Sequence, residues 1–128
     1  MPTQKKTSAV KKPKDAHRDI TTYALSKPGA TEHFPWGERV VKVGGKVFVF
    51  LGRSEDAGDI GMSVKLAESG AAALSLPFCE PTGYGLGKAG WVSVHFKDKV
   101  PVPLMREWID ESYRAVAPKK FLNQLEER

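Results

Sequence analysis

The chain has 128 residues, 41% apolar and 27% charged, with one cysteine and a formal net charge of +5. These totals fit one small globular domain with a single core, and they exclude a disulfide-built fold, because Cys79 has no second cysteine to pair with. No run approaches the ~20 apolar residues of a membrane helix, and the first lysines are not followed by an apolar run, so neither a membrane span nor a secretory signal is expected; the expected compartment is the reducing cytoplasm.

The charge is concentrated. Residues 1–18 hold Lys5, Lys6, Lys11, Lys12, Lys14 and Arg18 against Asp15, which is the whole imbalance; the other 110 residues hold 14 basic and 14 acidic side chains. Residues 1–13 are polar and lack periodicity, and they read as a disordered basic arm. Such an arm attracts phosphate by charge alone and serves equally as a solubilising tail. The folded part, residues 14–128, is then a single domain whose formal charge is close to balance.

Ala16, Ile20, Tyr23 and Ala24 share one helical face and predict a helix over 14–26. Lys27-Pro28-Gly29 ends it, since the residue before proline avoids helical backbone. A loop over 30–37 follows, whose aromatics Phe34 and Trp36 are expected to pack onto the core. RVVKVGGKVFVFLG reads as a β-hairpin turning on Gly44-Gly45, because a two-residue turn needs the positive φ that glycine allows. Pairing Val43 with Lys46 would place Val41, Val43, Phe48 and Phe50 on one side. Val40, Val47, Val49 and Leu51 would then lie on the other, with Lys42. Both sides are apolar, so the hairpin is expected either to be covered on both faces or to offer one to a partner.

Downstream, Ile60, Met62 and Val64 alternate with Gly61, Ser63 and Lys65, the pattern of a strand with one wet face. Residues 66–75 suit a short helix, 77–89 a glycine-rich loop, and Trp91–Phe96 a strand. Pro101 and Pro103 open a helix with the stripe Met105, Trp108, Ile109, Ser112 and Val116; Pro118 breaks it, and a last helix carries Phe121, Leu122 and Leu125. The order α-β-β-β-α-β-α-α, with tight turns between neighbouring strands, predicts an α+β fold: an antiparallel sheet with helices packed on it.

Gly85-Leu86-Gly87-Lys88-Ala89-Gly90 has the glycine spacing of a dinucleotide loop, but a loop precedes it and a strand follows, whereas that chemistry needs a helix N-terminus facing the pyrophosphate. His17, His33 and His95 lack metal-ligand spacing. Cys79 lacks a sequence-adjacent base. Asp110-Glu111 and Glu126-Glu127 are neighbours on helices and point apart. No cofactor, metal or catalytic residue is therefore predicted. What remains is basic: Lys42 and Lys46 on the hairpin, Arg53 at its far end, Lys65 ending the third strand, and Lys88 with Trp91 flanking the glycine-rich loop. A lysine beside glycine-rich backbone suits phosphate, and a basic hairpin fits a DNA groove. Sheet-edge lysines also serve simply to block edge-to-edge association.

HFPWGERVVKVGGKVFVFL, GYGLGKAGWVSVHF and IDESYRAV, in that order over residues 17–118, resemble the MmcQ/YjbR family, including its Lys-x-x-Trp step at Lys88-Ala89-Gly90-Trp91. The stretch Gly83–Gly87 departs from the family pattern. The resemblance implies an α+β fold of double-wing shape, DNA binding through Lys42, Lys46, Lys88 and Trp91, and no catalysis. Two alternatives stand beside it. One is a protein-interaction or dimerisation module using an apolar sheet face. The other is a small-ligand site, or an enzyme, near His33, Trp36, Tyr84 and Trp91.

Overall fold

In a computed structural model, residues 10–52, 60–83, 85–96 and 98–126 are described. Among these residues eight strands and four α-helices follow one another: β1 (Val10–Lys11), α1 (Pro13–Leu25), β2 (Ala30–His33), β3 (Arg39–Val43), β4 (Lys46–Gly52), β5 (Ile60–Lys65), α2 (Gly70–Leu74), β6 (Cys79–Pro81), β7 (Trp91–Phe96), β8 (Val100–Pro101), α3 (Val102–Val116) and α4 (Lys119–Glu126). The eight expected elements appear in the expected order, joined by four short strands. Six strands form an antiparallel sheet in the order β2-β3-β4-β5-β7-β6, and β1 pairs separately with β8.

The periodicities explain the layers. Ala16, Ile20 and Ala24 of α1, and Met105, Ile109 and Tyr113 of α3, bury one stripe each against Val41, Val43, Val49, Leu51, Val64, Val92 and Val94 of the sheet. Tyr113 is fully buried, edge-on to Phe48 at 5.2 Å, and its hydroxyl donates to the Pro28 carbonyl at 2.6 Å. That bond ties α3 to the turn after α1. Short-range tertiary bonds also hold Asp19 and Glu111. Burial pushes the Asp19 carboxyl up, but hydrogen bonds from Arg106 and Lys11 outweigh it and hold it below its ordinary 3.8. Burial likewise pushes Glu111 up, and hydrogen bonds from Ser69 and the Glu68 amide outweigh that and hold it below 4.5. Both folded-state values are lowered, so this stabilisation is complete above the unfolded values and is lost as pH falls through the folded ones. The urea midpoint should stay level from about pH 6 to 5 and drop below about pH 4. A midpoint that stays flat down to about pH 2.5 would remove both carboxylates from the stability account.

Three local features differ from the pattern of the sequence. The arm expected to be unstructured to residue 13 gives a strand at Val10–Lys11 and helix from Pro13, because β8 offers it a partner and Pro13 suits a first helical turn; residues 1–9 lie outside the described residues. The loop at 30–37 begins as β2, paired with β3, and Phe34 is 52% exposed under the Arg39 guanidinium rather than packed in the core; the Trp36 side chain lies outside the description. In the hairpin, Val43 pairs with Lys46 and Lys42 with Val47 as expected, but the ladder then skips Phe48 and resumes at Val41–Val49 and Val40–Phe50. This bulge places Phe48 and Val49 both toward the helices and sends Phe50 to the opposite face.

Candidate nucleic-acid interface

The helices occupy one side of the sheet, so alternation along β3, β4, β5 and β7 puts their second set of side chains on the other. The register arranges these in rows across the strands. In the first row Thr31 pairs with Lys42, Lys42 with Val47, and Lys65 with Trp91. Lys46, Val47, Lys65 and Trp91 line one cleft of about 170 Å³, closed at its end by Ala115 and Val116 of α3. Lys88 sits on the 3-10 turn Leu86–Ala89, whose C-cap Gly90 abuts the Lys65 stem.

Lys42, Lys46, Lys65, Lys88 and Trp91 are thus gathered at one end of the sheet. Lys46 and Lys88 are exposed and Lys42 and Lys65 half-buried, and none of the four forms an ion pair among the described residues. The C-terminal end of α3, with its partial negative charge, faces this cluster and moderates its self-repulsion. Arg53 lies outside the described residues, as do Glu55, Asp56 and Asp59. Trp91 is only 8% exposed and packs edge-to-face on Phe50 at 5.3 Å. It forms a wall of the cleft, not a platform on which a base could lie.

In the glycine-rich loop, four of the amides that a phosphate could approach are already bonded within the turn. The amides of Leu86, Gly87, Lys88 and Gly90 are bonded to the carbonyls of Gly83, Thr82, Gly85 and Gly87. The glycines serve the turn itself, with Gly85 and Gly90 at positive φ.

A second row runs one step along the strands: His33–Val40, Val40–Phe50, Phe50–Ser63, Ser63–Ser93 and Ser93–Glu80. Here the Ser93 hydroxyl bonds to Ser63 at 2.8 Å and to Thr82 at 2.9 Å, and Glu80 bonds to His95 Nε2 at 3.2 Å. Glu38 lines a small cleft on the same ground. Cations and carboxylates therefore share the face but not the row. The hydroxyl row was not singled out from the sequence, although Gly61/Ser63/Lys65 and Trp91/Ser93/His95 both show its period-two polarity.

The other chemistry resolves locally. His17 is buried with Nε2 3.0 Å from the Leu51 carbonyl, and His33 bonds to Thr31. Burial pushes the Cys79 thiol up, away from nucleophilic thiolate. No group of three or more potential metal ligands occurs among the described residues. Of the residues offered for a small-ligand site, His33 and Trp91 are kept apart by β3, β4 and β5; Tyr84 and the Trp36 side chain lie outside the description. A groove of about 750 Å³ runs along β1 and α1, past Lys12, Arg18 and Tyr23; Lys11 and Arg106 there are both paired to Asp19. No described helix is long and apolar enough to cross a membrane.

A family model described as YjbR matches residues 25–115, the span from the end of α1 through most of α3. The fold is similar to that in the crystal structure of the Deinococcus radiodurans protein DR2400, described as a DUF419 domain, with 27% identity over 75% of this chain and 74% of that one and a TM-score of 0.62. No curated protein matches the chain.

Proposed function

The chain belongs to the YjbR family, and on that premise we propose that it is a nucleic-acid-binding module, with DNA as its first ligand to test and binding rather than catalysis as its role. The observation that carries this is the gathering of Lys42, Lys46, Lys65 and Lys88, without ion-pair partners among the described residues, at one end of the sheet, with Lys42 and Lys65 on the face the helices leave open and Lys46 at the hairpin tip on the other side. Phosphate oxygens are acceptors, and a line of unpaired ammonium groups supplies what they require. In this reading the β3–β4 hairpin and the turn carrying Lys88 are the two wings, and the basic residues of positions 1–18 add sequence-independent attraction. The lone, half-buried Cys79 suits a cytoplasmic setting.

Each phosphate contact adds about 0.9 to the slope of log affinity against log salt on duplex DNA. Four such contacts predict roughly a 100-fold weakening between about 50 and 200 mM salt. Fluorescence anisotropy on a labelled duplex should show that slope, and the Lys42→Ala/Lys46→Ala/Lys65→Ala/Lys88→Ala variant should flatten it by about 3 to 4. Negligible binding at both salt concentrations, or a variant slope equal to that of the parent, would sink the proposal.

A further inference from the structure

The lysine row alone would suit any phosphate, but its neighbour does not. One step along the strands, about 7 Å away, lies a cleft of about 140 Å³ walled by Glu38, Phe50, Ser63, Ser93 and His95 over Gly61. Its chemistry is mixed. Ser63, Ser93 and Thr82 form a chain of three hydroxyls joined by two hydrogen bonds. Three O–H protons less two leave one to donate outward, while lone pairs remain to accept. Glu80 beside them is 63% exposed in its side chain and can only accept. A phosphodiester has no proton to offer these acceptors, and the carboxylates repel it. The row therefore calls for a ligand group that both donates and accepts, held one short step from a phosphate. A sugar hydroxyl on a nucleotide meets both conditions, and the 2′-hydroxyl is the one that DNA lacks.

We propose that the open sheet face binds a ribose-phosphate unit, with the phosphate on the Lys42 and Lys65 row and the 2′-hydroxyl on the Ser63–Ser93–Thr82 chain beside Glu80. The inference rests on the lysine row being a phosphate surface, and it adds that the preferred sugar is ribose. The same chemistry is carried by an RNA strand and by a free ribonucleotide. A single-stranded RNA should bind more tightly than DNA of the same sequence, by about fivefold for one net hydrogen bond.

The test uses the full chain and 12-residue strands built only from A and C, so that no thymine methyl intrudes. RNA, DNA and 2′-O-methyl RNA are compared by anisotropy, with AMP as competitor. The expected result is RNA tighter than DNA, with the 2′-O-methyl strand losing the advantage because its donor is gone. Glu80→Gln and Ser93→Ala should weaken RNA and leave DNA unchanged, whereas Lys42→Ala/Lys65→Ala should weaken both. Competition by AMP as strong as that of the strand identifies a free ribonucleotide; weak competition identifies RNA; both retain the ribose-phosphate assignment. Equal RNA and DNA affinities that still depend on the lysines overturn the inference and leave the phosphate surface standing. Binding of neither strand overturns both. The 2′-O-methyl comparison needs no protein variant, so a misfolded Ser93→Ala cannot obscure the answer.

Discussion

Replacing Ser112 by alanine is expected to destabilise the domain by about 2–4 kcal/mol, a large loss for one small side chain. Ser112 is fully buried on α3, and its hydroxyl makes two bonds at once. It donates to the Phe48 carbonyl of β4 and accepts from the Lys65 amide of β5 at 2.8 Å. Among the described residues the β4–β5 ladder pairs Val49 with Val64 and Phe50 with Ser63. Beyond it, Phe48 is the bulged residue and the strands part, so the helix hydroxyl stands in for the missing strand-to-strand bond. Alanine would leave a buried carbonyl and a buried amide without that partner, and each such orphan costs about 1–3 kcal/mol. Urea denaturation of the variant gives the number directly. A loss below about 0.5 kcal/mol would mean that the two backbone groups find other partners. There is a functional corollary. The parting of β4 from β5 opens the cleft between Lys46 and Lys65, so the Ser112→Ala variant should also bind nucleic acid more weakly at a temperature where it remains folded.

Gly44→Ala should cost about 2–3 kcal/mol, against about 1 kcal/mol for Gly45→Ala. Both glycines have positive φ, +60° and +81°, as the two-residue turn between Val43 and Lys46 requires. The backbone cost is therefore common to both. Only at Gly44 is the space taken: an added Cβ would lie 2.5 Å from Pro118 Cγ, while nothing lies within 4 Å of Gly45. The difference between the two variants measures the seat that the hairpin tip gives to the turn before α4. Gly29 has the same relation to Phe121, at 2.6 Å, so the last helix is seated on glycines at two places. Adding Pro118→Ala to Gly44→Ala should recover the excess loss. Equal thermal shifts for Gly44→Ala and Gly45→Ala would show that Pro118 yields freely.

The two variants separate what chain order encodes from what packing decides. Helical stripes in α1 and α3, the alternation of β5, the glycine turn at Gly44-Gly45 and the strand Trp91–Phe96 were all legible, because each depends on residues within one turn or one strand of each other. β2 was missed because Ala30–His33 carries no apolar alternation; it is a strand only because β3 offers it an edge. The bulge at Phe48 was missed for a related reason. Two consecutive apolar residues in β4 satisfy either face, and the choice is made by Tyr113 and Ser112 reaching down from α3.

The candidate site divides in the same way. Its lysines and Trp91 could be named from composition and from the family likeness. Their adjacency could not, because it is created by the order β3-β4-β5-β7 and by the register that sets Lys42 beside Val47 and Lys65 beside Trp91. The carboxylate and hydroxyl row next to them was invisible for that reason too: Ser63, Thr82 and Ser93 are far apart in the chain and meet only across strands. By itself the sequence determined the class of the fold, the placement of its net charge near the N-terminus and the residue types at hand, all local or additive properties. The tertiary structure alone decided which charges share a surface and which amides are already bonded, because antiparallel pairing joins residues at separations that no local pattern can specify.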